Sequence, residues 1–331
     1  MAVRAAVYDL GSSSFHLQVC DVEGDALVPV ARYRSTLDLG AAVGATGTVP
    51  VDRVAASLRV TSRMAGRLRH LEPDVVVAVG TAALRDAVNG GAVTARIAEI
   101  IGVGVHLLDG AEEARLCFRG QRAAVWSDPE PSAGIDLGGG SLELAAGDDH
   151  SLLVATSVAV GATRLRGELG DIDPVGPPGR RVVARRVAEA VADWRAKFDA
   201  LGVCTRRVVA SGGTARVLAR LATARVRQGA TAAPGPVDRV ELPAGELDEL
   251  AGTLCRLTLA QRLALPGMPT RRARSIAFGA AAMHAVTEVL GAERLVVSEW
   301  GLREGAILDA VADLRSGSRT GSSGSAARAG S

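Results

Sequence analysis

A nine-residue segment near the N-terminus recurs in the middle of the chain, and this repeat limits the fold more than any other feature of the sequence. Residues 9–17 read Asp-Leu-Gly-Ser-Ser-Ser-Phe-His-Leu, and residues 136–144 read Asp-Leu-Gly-Gly-Gly-Ser-Leu-Glu-Leu. Each copy follows a short apolar run, so each predicts a β-strand that ends in an Asp-x-Gly turn. Supersecondary units that recur at matching places predict two domains of the same topology.

A second, weaker echo supports the repeat. Residues 79–82 read Val-Gly-Thr-Ala and residues 211–215 read Ser-Gly-Gly-Thr-Ala, and each segment lies between a predicted strand and a predicted helix. A single Asp-x-Gly turn is also typical of an ordinary β-hairpin. Two aligned copies together with the Gly-Thr echo favour the duplicated fold over that alternative.

Strands and helices alternate along the rest of the chain, which predicts an α/β layer fold. A length of 331 residues is long for one hydrophobic core and suits two. A Pro- and acid-containing break near residues 126–131 predicts an N-terminal domain over residues 1–126 and a C-terminal domain over residues 127–314. Residues 315–331 contain only Ser, Gly, Ala, Arg and Thr, and we predict a disordered tail there.

The predicted C-terminal domain is rich in helices. Apolar residues at helical spacing predict helices over residues 182–201, 244–263 and 271–290. Residues 173–179 are rich in Pro and Gly, which predicts a loop before the first of them.

The glycines and serines of the two loops predict an anion site. Glycine lets a backbone N–H group approach an anion without a Cβ in the way, and successive N–H groups form an anion-binding concavity. Ser12, Ser14 and Ser141 add hydroxyl donors. An Asp beside a phosphate makes sense if a hard cation such as Mg²⁺, or an attacking water, lies between them. The sequence therefore predicts one phosphorylated ligand held between the loops that begin at Asp9 and Asp136.

Composition excludes several other classes of protein. A Walker-type phosphate loop needs a lysine in a Gly-rich turn, and the only lysine, Lys197, lies in an amphipathic segment. Aromatic residues are 3% of the chain and the net charge is +2, which argues against a nucleic-acid partner. No apolar run approaches the roughly 18 residues that span a membrane, and the cysteines have no paired spacing. We expect a cytoplasmic protein without a membrane or nucleic-acid partner.

Two further polar clusters are candidates for chemistry. Glu112 and Glu113 begin a predicted helix, where they favour the helix dipole in any case, but a carboxylate there could also point into a cleft as a general base. Arg85 could hold a phosphate with its planar guanidinium or lie on a surface helix, and the sequence leaves both open. His16 could face the cleft. No nucleophile–His set has a sensible context, so we expect direct attack by water.

The chain resembles the exopolyphosphatase/guanosine pentaphosphate phosphatase family of the actin/hexokinase/Hsp70-like superfold. The resemblance covers roughly residues 3–310, with its motifs in family order. The matching segments are Asp-Leu-Gly-Ser-Ser-Ser-Phe-His-Leu at 9–17, Ala-Leu-Arg-Asp-Ala-Val-Asn at 83–89, Glu-Glu-Ala-Arg-Leu at 112–116, Asp-Leu-Gly-Gly-Gly-Ser-Leu-Glu at 136–143, Ser-Gly-Gly-Thr-Ala-Arg at 211–216, Arg-Ala at 272–273 with Gly-Ala at 279–280, and Gly-Leu-Arg-Glu-Gly at 301–305.

The resemblance implies an α/β fold of two similar domains with actin-like (ribonuclease H-like) topology and the active site in the cleft between them. It implies a hydrolase that removes terminal phosphate from inorganic polyphosphate, guanosine pentaphosphate or both, with Mg²⁺ or, as an alternative, Mn²⁺. It implies Glu113 as the catalytic base, with Asp136 and Glu143 as further catalytic residues that support metal and water. Asp9 joins these two as a predicted metal ligand. The predicted phosphate-binding residues are Gly11, Ser12, Ser13, Ser14, Arg85, Gly138, Gly139, Gly140, Ser141, Gly212, Gly213 and Thr214.

The sequence departs from the family pattern in two places. Ser13 stands where the family usually has Asn, and Leu142 stands where Thr is usual. The chain also matches the short family members, without the additional C-terminal helical domains of the long ones. We therefore expect short polyphosphates or a nucleotide to suit it better than long polymers. The resemblance alone carries the expectation of a homodimer.

Two other functions are alternatives. One is a sensor that binds guanosine polyphosphates with little turnover, and the other is an ATP-dependent kinase of the same superfold. The intact acidic set argues against a pure sensor, which needs no base. The Glu-Glu-Ala-Arg and Leu-Arg-Glu-Gly segments argue against a kinase.

Overall fold

The computed structural model of the protein describes residues 2–125, 131–148, 151–226 and 237–317. The first sheet contains β1 (Val3–Leu10), β2 (Ser14–Glu23), β3 (Ala26–Thr36), β4 (Val75–Gly80) and β5 (Val105–Leu107). The second contains β6 (Ser132–Leu137), β7 (Leu142–Gly147), β8 (Leu152–Val158), β9 (Cys204–Ser211), β10 (Glu241–Pro243) and β11 (Arg294–Val297). The helices are α1 (Leu39–Thr46), α2 (Val51–Leu68), α3 (Ala82–Asp86), α4 (Gly90–Ile101), α5 (Gly110–Val125), α6 (Ala162–Glu168), α7 (Gly176–Ala200), α8 (Gly212–Val226), α9 (Ala244–Arg256), α10 (Leu259–Leu263), α11 (Ile276–Leu290) and α12 (Leu302–Ser316), and Thr270–Arg272 form a 3₁₀ turn.

The two sheets have the same strand order. The first runs β3-β2-β1-β4-β5, and the second runs β8-β7-β6-β9-β11 with β10 added at the edge. In each sheet the first three strands are antiparallel, and the next two are parallel to the first. Across the first hairpin of each sheet, Asp9 pairs with His16 and Asp136 pairs with Glu143. The predicted duplication is therefore confirmed at the level of strand order and register.

The helices α5 and α12 join the halves because each packs on the sheet of the other half. The helix α12 follows the second sheet in sequence but packs on β1, β2 and β4 of the first, where Ile307 and Val311 join the buried cluster of Ala5 and Val7. The helix α5 packs on β6, β7, β8 and β9. The two helices also contact each other directly.

That crossing has no room for side chains. A Cβ at Gly120 would lie 2.2 Å from the carbonyl oxygen of Gly301, and a Cβ at Gly305 would lie 1.9 Å from that of Leu116. Glycine at both positions allows the backbones to touch. The predicted boundary at residues 126–127 lies outside the described residues, and the division of the chain there stays a prediction.

Several predicted elements differ from the structure. The helix predicted over residues 244–263 is two helices, because Thr258 forms a capping box with Gln261 that begins α10. The helix predicted from residue 271 begins at Ile276, after the 3₁₀ turn. The loop predicted over residues 173–179 is partly the first turn of α7, which tolerates proline because the first N–H groups of a helix have no partner within it.

Other differences concern elements that were not predicted and the end of the chain. The short helices α1 and α6 and the edge strand β10 have no counterpart in the sequence interpretation. The helix α12 continues to Ser316, two residues into the predicted tail, and residues 318–331 of that tail lie outside the described residues. Within the described part of the chain, no helix combines the length and apolar character that crossing a bilayer requires.

Candidate active site

A cavity of about 200 Å³ lies between the two halves, beside the ends of β1, β6 and β9; we call it the cleft cavity. Most predicted site residues line it. These are Asp9, Gly11, Ser12, Ser13, Ser14, Glu113, Asp136, Gly138, Gly139, Gly140, Ser141, Glu143, Gly212 and Gly213. Two predicted phosphate-binding residues, Arg85 and Thr214, are not among the described residues that line it. The fold thus brings together residues that are up to 200 positions apart in the sequence.

The second loop presents its N–H groups to the cleft because the helix α6 takes its carbonyl groups. The N–H groups of Ala162 and Thr163 donate to the carbonyls of Gly138 and Gly139 at 3.0 and 2.8 Å. The guanidinium of Arg164 donates to the carbonyl of Gly140 at 2.9 Å. In a trans peptide the N–H group points opposite to the C=O group. The N–H groups of residues 139–141 therefore point away from α6.

The first loop is held in the same way by α1 and the chain before it. The carbonyl of Ser12 accepts from the N–H of Gly40 at 2.8 Å, and the carbonyl of Ser13 accepts from the N–H groups of Leu37 and Asp38 at 3.1 Å. The side chain of Ser12 accepts from the N–H of Ala83 at the start of α3. The N–H groups of residues 13 and 14 consequently point away from α1, and the two loops offer donors from both halves.

The adjacent glutamates at the start of α5 have different roles. Glu112 accepts from the N–H of Asp109 at 2.8 Å and contacts the imidazole of His106 at 2.9 Å, so it caps the helix at the surface. Glu113 is 7% exposed and lines the cleft cavity. Its Oε2 atom is buried and has no hydrogen-bond partner. Burial, with the neighbouring charge of Glu143, raises the pKa of Glu113 well above the ordinary range.

Arg85 contacts Glu113 and is not among the described residues that line the cleft cavity. Its Nη1 lies 3.5 Å from Oε2 of Glu113 and donates to the carbonyl of Leu108 at 2.9 Å, and its Nε donates to Asp86 at 3.1 Å. The side chain is 28% exposed. Arg85 is therefore partly exposed to solvent and lies behind the wall of the cleft cavity.

Glu143 and Asp136 lie opposite each other across the second hairpin. Ser157 donates to Glu143 at 2.9 Å, and Ser211 donates to Asp136. Burial raises the pKa of Glu143 to about 7, and the charge of Asp136 adds to this shift. Burial also raises the pKa of Asp136, although the bond from Ser211 opposes that change. Carboxylates pressed together in this way favour a shared proton or a bound cation.

A hydrogen-bond chain in the first half ends at the first loop. Nη1 of Arg303 lies 2.9 Å from Nδ1 of His16, and Nε2 of His16 lies 3.0 Å from the hydroxyl of Ser14. Arginine can only donate, so Nδ1 accepts and Nε2 carries the proton. Arg34 also donates to the Ser14 hydroxyl, at 3.2 Å. That oxygen accepts twice, which leaves its own proton free to bind an anion.

The charges around this chain fix its protonation. Burial and the fields of Arg303 and Arg34 lower the pKa of His16 to about 2, so the imidazole is neutral. Burial raises the pKa of Asp9 to about 6 against the field of Arg303, whose Nε lies 3.8 Å from Asp9.

The sequence interpretation assigned no role to six arginines that line the cleft cavity. They are Arg34, Arg216, Arg220, Arg271, Arg272 and Arg303. Three of them, Arg216, Arg272 and Arg303, lie within motifs quoted above, and Arg220 follows Arg216 by one helical turn. The remaining pair, Arg34 and Arg271, carries no signal that could have been read before the fold was known.

The acidic side chains fit a divalent cation that is shared with a ligand. Among the described residues, no group of three or more His, Cys, Asp or Glu side chains is arranged to hold a metal ion. Mg²⁺ commonly binds one or two carboxylates and completes its shell with waters and substrate phosphates. The predicted ligands Asp9, Asp136 and Glu143 all line the cleft cavity. The donors therefore suit Mg²⁺ bound together with a phosphate, and not an ion held by protein groups alone.

Comparison with known proteins agrees with this geometry. The Ppx/GppA phosphatase family model matches residues 18–314. Exopolyphosphatase 1 of Mycobacterium leprae is 32% identical over 317 residues, which are 92% of this chain and 89% of that protein. A guanosine-5'-triphosphate,3'-diphosphate pyrophosphatase of Aeromonas hydrophila is 29% identical over 314 residues, which are 91% of this chain and 58% of that protein. The crystal structure of an exopolyphosphatase from Cytophaga hutchinsonii matches with a TM-score of 0.83 at 25% identity, covering 96% of this chain and 100% of that chain.

The duplicated sheets, the exchanged helices and the polar cleft define a two-domain protein of the actin-like α/β class, as predicted. The chain belongs to the Ppx/GppA phosphatase family. The family resemblance drawn from the sequence motifs is confirmed.

Proposed function

We propose that this protein is a phosphohydrolase that releases the terminal phosphate of inorganic polyphosphate, guanosine pentaphosphate or both by direct attack of water. One observation carries the proposal. Two loops that point N–H groups away from their supporting helices line one cavity with Glu113, whose buried Oε2 accepts no hydrogen bond. The names of the relatives from Mycobacterium leprae and Aeromonas hydrophila support these two substrate classes.

The two loops bind the phosphoryl group that is transferred. N–H groups from residues 13, 14 and 139–141 and the free proton of Ser14 surround its oxygens. Phosphoryl transfer develops charge on these oxygens, and fixed donors in a site with little water stabilise that charge strongly. This contribution is expected to be the largest part of the rate acceleration.

Glu113 orients and deprotonates the attacking water. Its free Oε2 atom can accept a proton, and its raised pKa makes it a stronger base than an exposed carboxylate once it is ionised. Arg85, 3.5 Å from the same oxygen, favours the ionised form.

Asp9, Asp136 and Glu143 would hold Mg²⁺, or Mn²⁺ in its place. The cation would polarise the phosphoryl group and neutralise its charge. The carboxylates would then release their shared proton to solvent, since an adjacent cation lowers the pKa of a carboxyl group. The homodimer and the cytoplasmic location stay predictions.

The proposal is tested by phosphate release in the presence of Mg²⁺ from short polyphosphate, long polyphosphate and guanosine pentaphosphate. We expect Glu113→Gln to lower the rate by roughly 10²-fold or more, within the range for loss of a general base. Glu112→Gln is the matched control, because it makes the same chemical change at the adjacent, surface residue and is expected to keep most of the activity. Full activity in Glu113→Gln would contradict the assignment of the base. Tight binding of guanosine pentaphosphate without turnover of any substrate would support the sensor instead.

A further inference from the structure

The helix α8 leads from the acidic centre of the cleft cavity to its outer end. It begins at Gly212, where an added Cβ would lie 2.6 Å from Oδ1 of Asp136. Arg216 and Arg220 follow at a spacing of four residues on the same face, and both line the cleft cavity. At 1.5 Å per residue, Arg220 lies about 12 Å along the helix axis from Gly212. The positive charges thus continue well beyond the position of the cleaved phosphate.

A second element brings arginines to the same wall. The 3₁₀ turn Thr270–Arg272 places Arg272 so close to α8 that a Cβ at Gly213 would lie 2.1 Å from its Nη2 atom. The neighbouring Arg271 lies within the field of Arg220, which lowers the pKa of Arg271 in addition to the effect of burial. Burial lowers the pKa of Arg272 to about 10, and the field of Arg216 adds to this shift.

These cations form no close ion pair within the described part of the chain, although Asp136 and Asp38 act on Arg272 from a greater distance. Among the described residues, no carboxylate lies within 4 Å of the guanidinium groups of Arg220, Arg271 or Arg272. Guanidinium groups held together without a counter-charge repel one another, and a phosphate chain that bridges them would remove the repulsion. The arrangement is therefore complementary to an extended polyanion.

The cavity wall is less suited to a nucleobase. No Phe, Tyr or Trp is among the described residues that line it, and Val217 and Leu302 are its only large aliphatic ones. Recognition of a base commonly uses aromatic stacking or an apolar slot. The lining favours an inorganic chain over a nucleoside.

We propose that Arg220 and Arg271 form an outer subsite of the cleft cavity that binds the phosphates of a linear polyphosphate behind the one that is cleaved. This inference rests on the hydrolase activity proposed above and selects linear polyphosphate as the preferred substrate. Each phosphate added to the polyphosphate increases its affinity only until the polymer extends past Arg220. A short polyphosphate is therefore enough to fill the subsite.

The test compares kcat/KM for tripolyphosphate, a longer linear polyphosphate and guanosine pentaphosphate. Arg220→Gln and Arg271→Gln are each expected to lower the ratio for the longer chain over tripolyphosphate by about tenfold, through KM, because each removes a charge-assisted hydrogen bond. The double substitution lowers the ratio further. Arg274→Gln is the matched control, since Arg274 follows the same turn and carries the same charge but is 61% exposed and pairs with Asp171.

Three results would overturn the subsite. These are an equal loss on tripolyphosphate and the longer chain, an equal change in Arg274→Gln, and a larger loss on guanosine pentaphosphate than on either polyphosphate. Calorimetric titration of the longer polyphosphate into Glu113→Gln, with and without Arg220→Gln, separates this proposal from the previous one. Absence of turnover in the parent protein contradicts the hydrolase, whereas equal affinity in the two titrations contradicts the subsite.

Discussion

The two halves of the molecule share a strand order and a loop geometry but place different groups at equivalent positions. Opposite the loop aspartate, the first half has neutral His16 and the second has the carboxyl group of Glu143. In the first turn of the exchanged helices, the first half supplies Glu113 as the fourth residue of α5, and the second supplies Glu304 as the third residue of α12. Both oxygens of Glu304 are bonded, one to the amide of Gln18 at 2.8 Å and the other to the N–H of Gly301 at 3.0 Å.

This difference separates two uses of a buried glutamate at the start of an exchanged helix. Glu304 is 2% exposed and fully satisfied, so it fixes the start of α12 against β2. Glu113 leaves one buried oxygen unbonded. The first turn of one exchanged helix therefore holds a fully hydrogen-bonded glutamate, and that of the other holds a glutamate whose buried oxygen accepts no hydrogen bond.

The largest effect is expected from the residues that face the loop aspartates. Glu143→Gln removes a carboxylate from the acidic cluster and is expected to lower kcat by about 10²–10³-fold. His16→Gln removes one link of the chain to Ser14 and should lower kcat by no more than about tenfold, the equivalent of one hydrogen bond. Steady-state phosphate release with Mg²⁺ measures both. Equal losses would mean that the two halves contribute equally to catalysis.

The second contrast concerns stability. Glu304→Ala leaves two buried donors without acceptors and is expected to lower the free energy of unfolding by about 2–4 kcal/mol. Glu113→Gln replaces an unbonded buried carboxyl with a neutral amide and should raise it by about 0.5–1 kcal/mol. Urea unfolding followed by circular dichroism measures both values. Destabilisation of similar size by the two substitutions would show that Glu113 is also structural.

The smallest effect is a pH dependence of opposite sign in the two halves. Glu143 has a folded pKa raised to about 7, so the folded state binds the extra proton, and stability falls as the pH rises from about 4.5 to 7. His16 has a folded pKa lowered to about 2, so the unfolded state binds the extra proton, and stability falls as the pH drops below about 6.5.

Urea unfolding at several pH values, with EDTA present, tests this pair. Glu143→Gln should reduce the fall in the free energy of unfolding between pH 4.5 and 7 by on the order of 1 kcal/mol. His16→Gln should reduce the fall below pH 6.5 by a similar amount. Unchanged profiles in both variants would show that neither group has the protonation state derived above. Titration of the His16 imidazole between pH 5 and 8 in NMR spectra would contradict its neutral form directly.

The repeat made the doubled sheet predictable, because strands that end in the same turn twice leave a strong local signal within one chain. The helices α1 and α6, which orient the loop carbonyls, left no such signal. They are short, and α1 contains Gly40 and Gly44 and has no polar face, so no helical periodicity could be read. The two loops were therefore visible in the sequence, while the elements that orient them were not.

The candidate site was predictable only in part, because some of its residues leave no local signal in the sequence. Glu112 and Glu113 are adjacent and chemically identical, and only the direction of the helix decides which one enters the cleft. The arginines of the outer subsite come from α8 and from a turn about 50 residues later, and tertiary packing alone brings Arg220 beside Arg271.

The exchange of α5 and α12 also limits how this architecture can be divided or recombined. A fragment that ends at Val125 would lack α12 and expose the face of the first sheet that contains Ala5 and Val7. A chimera that joins halves of two relatives would have to preserve the contact of Gly120 with Gly301 across the junction, since any side chain there forces the helices apart. The two halves look modular in their topology, yet each leaves part of its sheet to be covered by a helix of the other.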